Sequence, residues 1–213
     1  MIIDVWSDVV CPWCFIGKRR LEKAIQSLPE GAQVEVRHRA FQLQPDITGV
    51  TPTSEMLASK YRIATEQVAA MQANVCSIAD GEGLCYNLEN TMSGNTKDAH
   101  RLLLWAAENG KQAELLEQMY SAYFEKSEGL FTHEDLVSVA AKAGISATEV
   151  ESVLSSDDYS IQVDEDQQVA ASLGANGVPF FVIDMKYGIS GAQPQEVFDR
   201  ALAQALEEAN SLT

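Results

Sequence analysis

The chain has 213 residues, 46% of them apolar and 22% charged, which is the balance of a globular protein with one sizeable core or one domain carrying an insertion. Its 31 acidic and 15 basic side chains leave a net charge of −16, which would repel nucleic-acid phosphates and anionic membrane surfaces and argues against both as partners. No apolar run approaches the ~20 residues that span a bilayer, and no basic segment with a signal-like apolar core opens the chain. A reducing, cytoplasmic setting is therefore expected, with the four cysteines resting as thiols.

Ile2 to Trp6 reads as a buried strand, and it leads directly into Asp8-Val9-Val10-Cys11-Pro12-Trp13-Cys14-Phe15. If the strand ends near Ser7 and a helix begins near Pro12, Cys11 stands at the helix N-terminus. Free backbone N–H groups and the positive end of the dipole stabilise a thiolate there. Pro12 suits the first helical turn, because its φ is already helical and its missing N–H would have been unpaired. Cys14 lies one turn in on the same face, within the separation a disulfide needs, so the pair can cycle between dithiol and disulfide. Two of four zinc ligands could share this spacing, but Cys76, Cys85, His38, His100 and His133 are too scattered to supply the others. The redox reading is preferred, with no metal and no cofactor.

The cysteine helix continues through Leu21, Ala24, Ile25 and Leu28 until Pro29 and Gly31 end it. Gln33 to Leu43 alternates as a half-exposed strand, with Val34, Val36, His38 and Ala40 on one face. This makes a β-α-β unit, whose right-handed crossover sets the two strands parallel. From Pro45 to about Gly174 the pattern is helical. Ala99, Leu102, Leu103, Ala106 and Ala107 form one stripe, and Leu115, Leu116, Met119, Tyr120, Tyr123 and Phe124 form another. Asn95 and Thr96 read as an N-cap, Gly144 as a left-handed C-cap, and Ser146 with Glu149 as a capping box. A further helix is expected over Ser160 to Leu173. On one helix Cys76 and Cys85 would stand about 13 Å apart, too far for a disulfide. A break at Gly81 and Gly83 would open that possibility, although two unpaired buried thiols are expected.

After Gly174-Ala175-Asn176-Gly177 the β signal returns as Val178 to Ile183 and Tyr187 to Gly191, with Asp184 to Lys186 as the turn between them. A last amphipathic helix runs from Gln195 to Ala209 through Val197, Phe198, Ala201, Leu202, Ala205 and Leu206. The predicted architecture is α/β: a four-stranded sheet built from residues 1–45 and 175–213, split by an all-helical subdomain over 46–174.

These residues carry a resemblance. The chain resembles the thioredoxin-fold DsbA-like family, specifically its FrnE-like branch. The likeness rests on Asp8 with Cys11-Pro12-Trp13-Cys14 and Ile16-Gly17-Lys18, on Phe41-Gln42-Leu43 with Pro45, and on Asn95-Thr96 with Ala99-His100-Arg101-Leu102. Gly177-Val178-Pro179-Phe180-Phe181-Val182 and Ile189-Ser190-Gly191-Ala192-Gln193 complete it. The resemblance implies a thioredoxin-like fold and thiol–disulfide oxidoreductase activity, with Cys11 attacking, Cys14 resolving and a cis-proline at Pro179 facing the disulfide. With Pro179 unable to donate to a ladder, the backbone of Val178 would be free to pair with an extended substrate. Pro12, Trp13, Val178 and Pro179 are thus expected beside substrate, and Val178–Pro179 is expected to be cis and in contact with the Cys11 sulfur. Trp6 and Trp105 belong in the core. For His100, a structural place at the subdomain joint is the simpler reading. Partners are expected to be protein or small-molecule thiols and disulfides, glutathione among them. Similar in layout are the glutathione-dependent 2-hydroxychromene-2-carboxylate isomerases and kappa-class glutathione transferases, the alternative reading. They typically carry Ser where this chain has Cys11, so both cysteines favour the redox function.

Overall fold

The computed structural model describes residues 1–211. Strands β1 (Ile2–Ser7), β2 (Glu35–Ala40), β5 (Phe180–Ile183) and β6 (Tyr187–Ser190) form one sheet in the order β2-β1-β5-β6. β1 pairs parallel to β2, with Val5 opposite His38, and antiparallel to β5, with Val5 opposite Phe181. A second, two-stranded ladder joins β3 (Thr51–Pro52) to β4 (Met92–Ser93). The helices are α1 (Pro12–Gln26), α2 (Thr53–Tyr61), α3 (Thr65–Gly81), α4 (Lys97–Glu108), α5 (Gln112–Tyr120), α6 (His133–Lys142), α7 (Ala147–Leu154), α8 (Ser160–Ser172) and α9 (Gln195–Ser211). α5 runs on into a π-helical turn, Ser121–Glu125. Among the described residues no helix is long and apolar enough to cross a membrane.

The period of two along β1 and β5 divides the sheet's burial between two layers. Ile3, Val5, Phe181 and Ile183 face α1 and α9, where they pack with Leu21, Phe198 and Leu202. Trp6, Phe180 and Val182 face the other way, against Ala170 of α8, and the Trp6 indole donates to the Asp166 carbonyl at 2.8 Å. Each such side chain taken fully from water contributes about 1.5–3 kcal/mol. The largest apolar cluster is the helical one. It runs from Leu102 and Leu103 through Leu115, Tyr120 and Phe124 to Cys11, Cys14 and Phe15, so the redox motif is rooted where the insertion meets α1.

The expected strand over 33–43 is shorter, and its edge is covered. The Gln112 side chain accepts from the His38 N–H at 3.2 Å and donates to the His38 carbonyl at 2.9 Å, while Asp166 accepts from the Ala40 N–H. Such covering removes the free edge on which another chain could pair. The His38 residue is only half-buried, but its Nδ1 is enclosed and has no hydrogen-bond partner among the described residues. Desolvation, helped by the Lys18 charge, pushes its pKa down to about 3. An unfolded imidazole titrates near 6.5, so its contribution to stability is complete above that value and is lost as pH falls from there toward about 3. Urea melts should show this as a slope of up to about 1.4 kcal/mol per pH unit in that window. His38→Gln should flatten it.

The hairpin turn falls at Asp184 and Met185, which take φ of 47° and 55°, the pair of positive values that lets a two-residue turn follow the strand twist. The Ser146–Glu149 capping box forms, and Gly144 has φ 69°. Several expectations need correction. The first helix stops at Gln26, not Leu28, and Val178 and Pro179 precede β5 instead of opening it. Ala107 is exposed at the end of α4. The Lys97 N–H is capped by Asn95 Oδ1 at 2.8 Å, while the Thr96 side chain makes no capping bond. Cys76 and Cys85 are free but not buried: α3 ends at Gly81, the chain reverses at Gly83 with φ 81°, and Cys85 falls on the exposed return segment.

Candidate active site

The site is built at the junction of β1 and α1. Cys11 is the N-cap of α1 in an extended conformation, and Pro12 occupies the first turn, where no N–H is required. The Cys11 N–H donates to the Asp8 carbonyl at 3.1 Å, and the Cys14 N–H donates to the Cys11 carbonyl at 2.9 Å, so the amides of both cysteines are paired. Both cysteines are free thiols, 4% and 2% exposed. Burial, together with the neighbouring Cys11 thiol, pushes the Cys14 thiol well above its ordinary pKa.

From the other side of the molecule, the segment before β5 closes over Cys11. The Val178–Pro179 peptide is cis, and the Cys11 thiol donates to the Val178 carbonyl at 3.5 Å. This approach depends on Gly17. A Cβ there would stand 3.0 Å from the Phe181 ring and 3.1 Å from Pro179 Cγ, so any side chain would push β5 and its proline away from α1.

A cavity of about 300 Å³ opens onto Cys11. Of the residues expected beside substrate, Pro12, Trp13 and Val178 line it and Pro179, whose ring packs toward Gly17, does not; nor does Cys14. The opposite wall is supplied by Met56, Leu57 and Tyr61 of α2 and by Met71 and Val75 of α3, with Leu43 at the rim. α2 buries no residue, and Tyr61 and Met71 are 52% and 44% exposed, so the mouth is apolar. Apart from Leu43, none of these residues stood out in the sequence. The i, i+4 pairs Leu57 with Tyr61 and Met71 with Val75 were the available signal.

Two further contacts hold the motif in place. Phe15 stacks on Tyr120 with ring centroids 4.8 Å apart, and the Arg19 guanidinium sits 4.6 Å above its ring while pairing with Glu117. Tyr86, on the segment after α3, donates its hydroxyl to the Pro12 carbonyl at 2.7 Å and stacks on Phe124 at 5.0 Å. Burial, with the charges of Cys11 and Cys14, drives the Tyr86 phenol far above its ordinary pKa and keeps it a donor. Sequence reading passed over Tyr86, because the contact exists only once the chain has reversed at Gly83. Tyr86→Phe removes this second hydrogen bond to the Pro12 carbonyl, which also accepts within α1. Denaturant unfolding should register a loss of about 1 kcal/mol, with the stacking and the fold retained.

Comparison with known proteins places this arrangement. A model of the DSBA-like thioredoxin domain matches residues 2–203. Among solved structures, a probable DsbA oxidoreductase from Streptomyces coelicolor is 44% identical and superposes with a TM-score of 0.93, covering 98% of this chain and 91% of its own. A 2-hydroxychromene-2-carboxylate isomerase shares the fold at a TM-score of 0.71 and 18% identity, over 100% of both chains. The cytosolic disulfide reductase DsbM from Pseudomonas aeruginosa, solved with GSH, shares it at 0.65 and 16% identity, over 97% of this chain and 100% of its own. The family match over nearly the whole chain and the 44% identity together show that this chain belongs to the DSBA-like thioredoxin domain family of thiol oxidoreductases.

Proposed function

We propose that the protein exchanges disulfides with thiol or disulfide substrates through Cys11 and Cys14, with Cys11 attacking and Cys14 resolving. The observation that carries this reading is the asymmetry of the two buried thiols. Cys11 stands at the helix N-terminus and lines the cavity, whereas Cys14 is sealed behind it with its pKa pushed well up. A substrate sulfur entering the cavity meets Cys11 first. Free backbone N–H groups at a helix start favour the anionic sulfur that attacks. Pro12, Trp13 and Val178 would flank the substrate, and the Val178 carbonyl that now holds the Cys11 thiol would be released to an extended peptide as that thiol reacts. Pro179 would act by holding Val178 in place. In this reading residues 1–45 and 175–213 form the thioredoxin-like unit and 46–174 supply the cavity's outer wall. No group of three or more His, Cys, Asp or Glu suited to a metal occurs among the described residues.

The second reading, a glutathione-dependent isomerase or transferase, is favoured by the fold shared with the isomerase and by the size of the cavity. It would not use Cys14. The test is capture of a mixed disulfide on Cys11 by a Cys14→Ser variant, which supports exchange. Glutathione-dependent turnover by Cys11→Ser overturns it.

A further inference from the structure

The cavity in front of Cys11 has an outer wall that disulfide exchange by itself does not require. One face of α2, formed by Thr53, Met56, Leu57, Lys60 and Tyr61 at i, i+3, i+4, i+7 and i+8, turns wholly to it, and no residue of α2 is buried elsewhere. A surface helix ordinarily puts such a face against a core. Here it meets an open volume of about 300 Å³, at the small end for sites that hold a small molecule. Cys11 lines that volume but is only 4% exposed, whereas Tyr61 and Met71 at the mouth are 52% and 44% exposed. Its sulfur is therefore reached through the cavity and not from the protein surface. A disulfide held rigidly in the surface of a folded protein meets α2 and α3 before it meets Cys11.

The lining is also short of free charge. Asp8 is 1% exposed, its Oδ2 accepts the Leu43 N–H at 2.8 Å and its Oδ1 faces His100 Nε2 at 3.4 Å, so neither oxygen is presented to the opening. Lys60 is the other charged side chain of the lining, and it stands in water, where an ion pair contributes little. The chain as a whole carries −16, which repels anions. The polar groups on the inner wall are already engaged: Gln72 and Thr91 donate to the Leu88 carbonyl at 3.2 and 2.9 Å, and Tyr123 donates to the Met92 carbonyl at 2.6 Å. An uncharged apolar group is what this volume accepts at least cost.

We propose that the preferred substrate is a low-molecular-weight disulfide whose sulfur is carried on a compact, uncharged apolar group, selected by Met56, Leu57, Tyr61 and Met71. The inference rests on the exchange reading of Cys11 and Cys14 and narrows it, since a peptide paired along Val178 would leave the α2 wall unused. Methionine at two of the four wall positions lets the wall follow the shape of what it holds. In one turnover the Cys11 thiol loses its proton to solvent and the thiolate attacks one substrate sulfur. The substrate S–S bond breaks, and the leaving sulfur keeps the electron pair and takes a proton from solvent. The Cys14 thiol then loses its proton to solvent and attacks Cys11 Sγ. The Cys11–Cys14 bond forms, and the second substrate sulfur departs with the electron pair of its bond to Cys11 and is protonated. The substrate is reduced by two electrons to two thiols, and the protein's dithiol is oxidised to its disulfide.

The experiment measures single-turnover oxidation of the reduced full chain near neutral pH by dithiodipyridine, which is uncharged and aromatic, by its dicarboxylate analogue dithiodinicotinic acid, by glutathione disulfide, and by a cystine-linked peptide with phenylalanine beside the cysteine. Each rate is divided by that of the same disulfide with free mercaptoethanol, which removes intrinsic reactivity. The normalised rate with dithiodipyridine should saturate with concentration and exceed the other three by about 10-fold or more. Leu57→Asp and Met71→Asp, which bring a carboxylate into the wall from α2 and from α3, should each raise its half-saturation concentration by about 10-fold. Equal normalised rates overturn the proposal. So do a peptide or an anionic disulfide that reacts fastest, absence of saturation, and a half-saturation concentration unchanged in both wall variants. If the wall variants fail to fold, the ranking by the unaltered chain decides. Failure of Cys14→Ser to form an adduct with any of the four overturns both this inference and the exchange reading. Adducts formed with all four at one normalised rate overturn only this one.

Discussion

Cys11→Ser should reduce disulfide exchange to the uncatalysed rate, while Cys14→Ser should still attack and then stop, accumulating an equimolar covalent adduct visible on non-reducing gels. The reason is positional. Only Cys11 of the pair lines the 300 Å³ cavity, and the Cys14 thiol is buried with its pKa well above the ordinary value, so almost none of it is thiolate at neutral pH. Attack requires the thiolate. Cys14 therefore cannot replace Cys11 as the first nucleophile, but once a mixed disulfide sits on Cys11 it stands one helical turn from the residue whose sulfur it must attack. With Ser at position 14 that second attack is lost. The adduct should vanish in the Cys11→Ser/Cys14→Ser double variant. An adduct that persists there would place the reactive thiol at Cys76 or Cys85 and overturn the assignment.

Phe15→Ala should be the most damaging change outside the cysteines, lowering stability by about 3–5 kcal/mol. Phe15 is fully buried one residue past Cys14, stacked on Tyr120 and in contact with Tyr86 and Phe124. Truncation opens a cavity at the contact between the redox helix and the insertion, and it removes the ring beneath the Arg19 guanidinium. At roughly 2–4 °C per kcal/mol for a chain of this size, the thermal midpoint should fall by about 10 °C. Phe15→Leu, which keeps most of the volume, should cost far less. Equal losses for the two substitutions would show that ring stacking, not cavity formation, dominates at this position.

Much of this molecule follows from local rules. A strand running into Cys-Pro-Trp-Cys places one thiol at a helix N-terminus and the other a turn behind it, because helical geometry and the missing proline N–H act over a few residues. The stripes of α4, α5 and α9 and the two-faced burial of β1 were readable for the same reason: periods of 3.6 and 2 record which side meets the core. What lay beyond the sequence was whatever depends on distant segments meeting. β3 and β4 are two residues each and exist only as partners, Thr51 opposite Ser93. α2 buries none of its residues, so no apolar stripe announced it. Cys85 and Tyr86 were placed by the reversal at Gly83, which sends one thiol to solvent and one phenol to the Pro12 carbonyl. Asp8 and His100 could each be noticed in the sequence, but that their side chains face each other was decided only when α4 packed against the redox loop. Hydrophobic periodicity says that a helix will bury one face. It carries no information about which polar atom on another segment that face will bring within 3.4 Å.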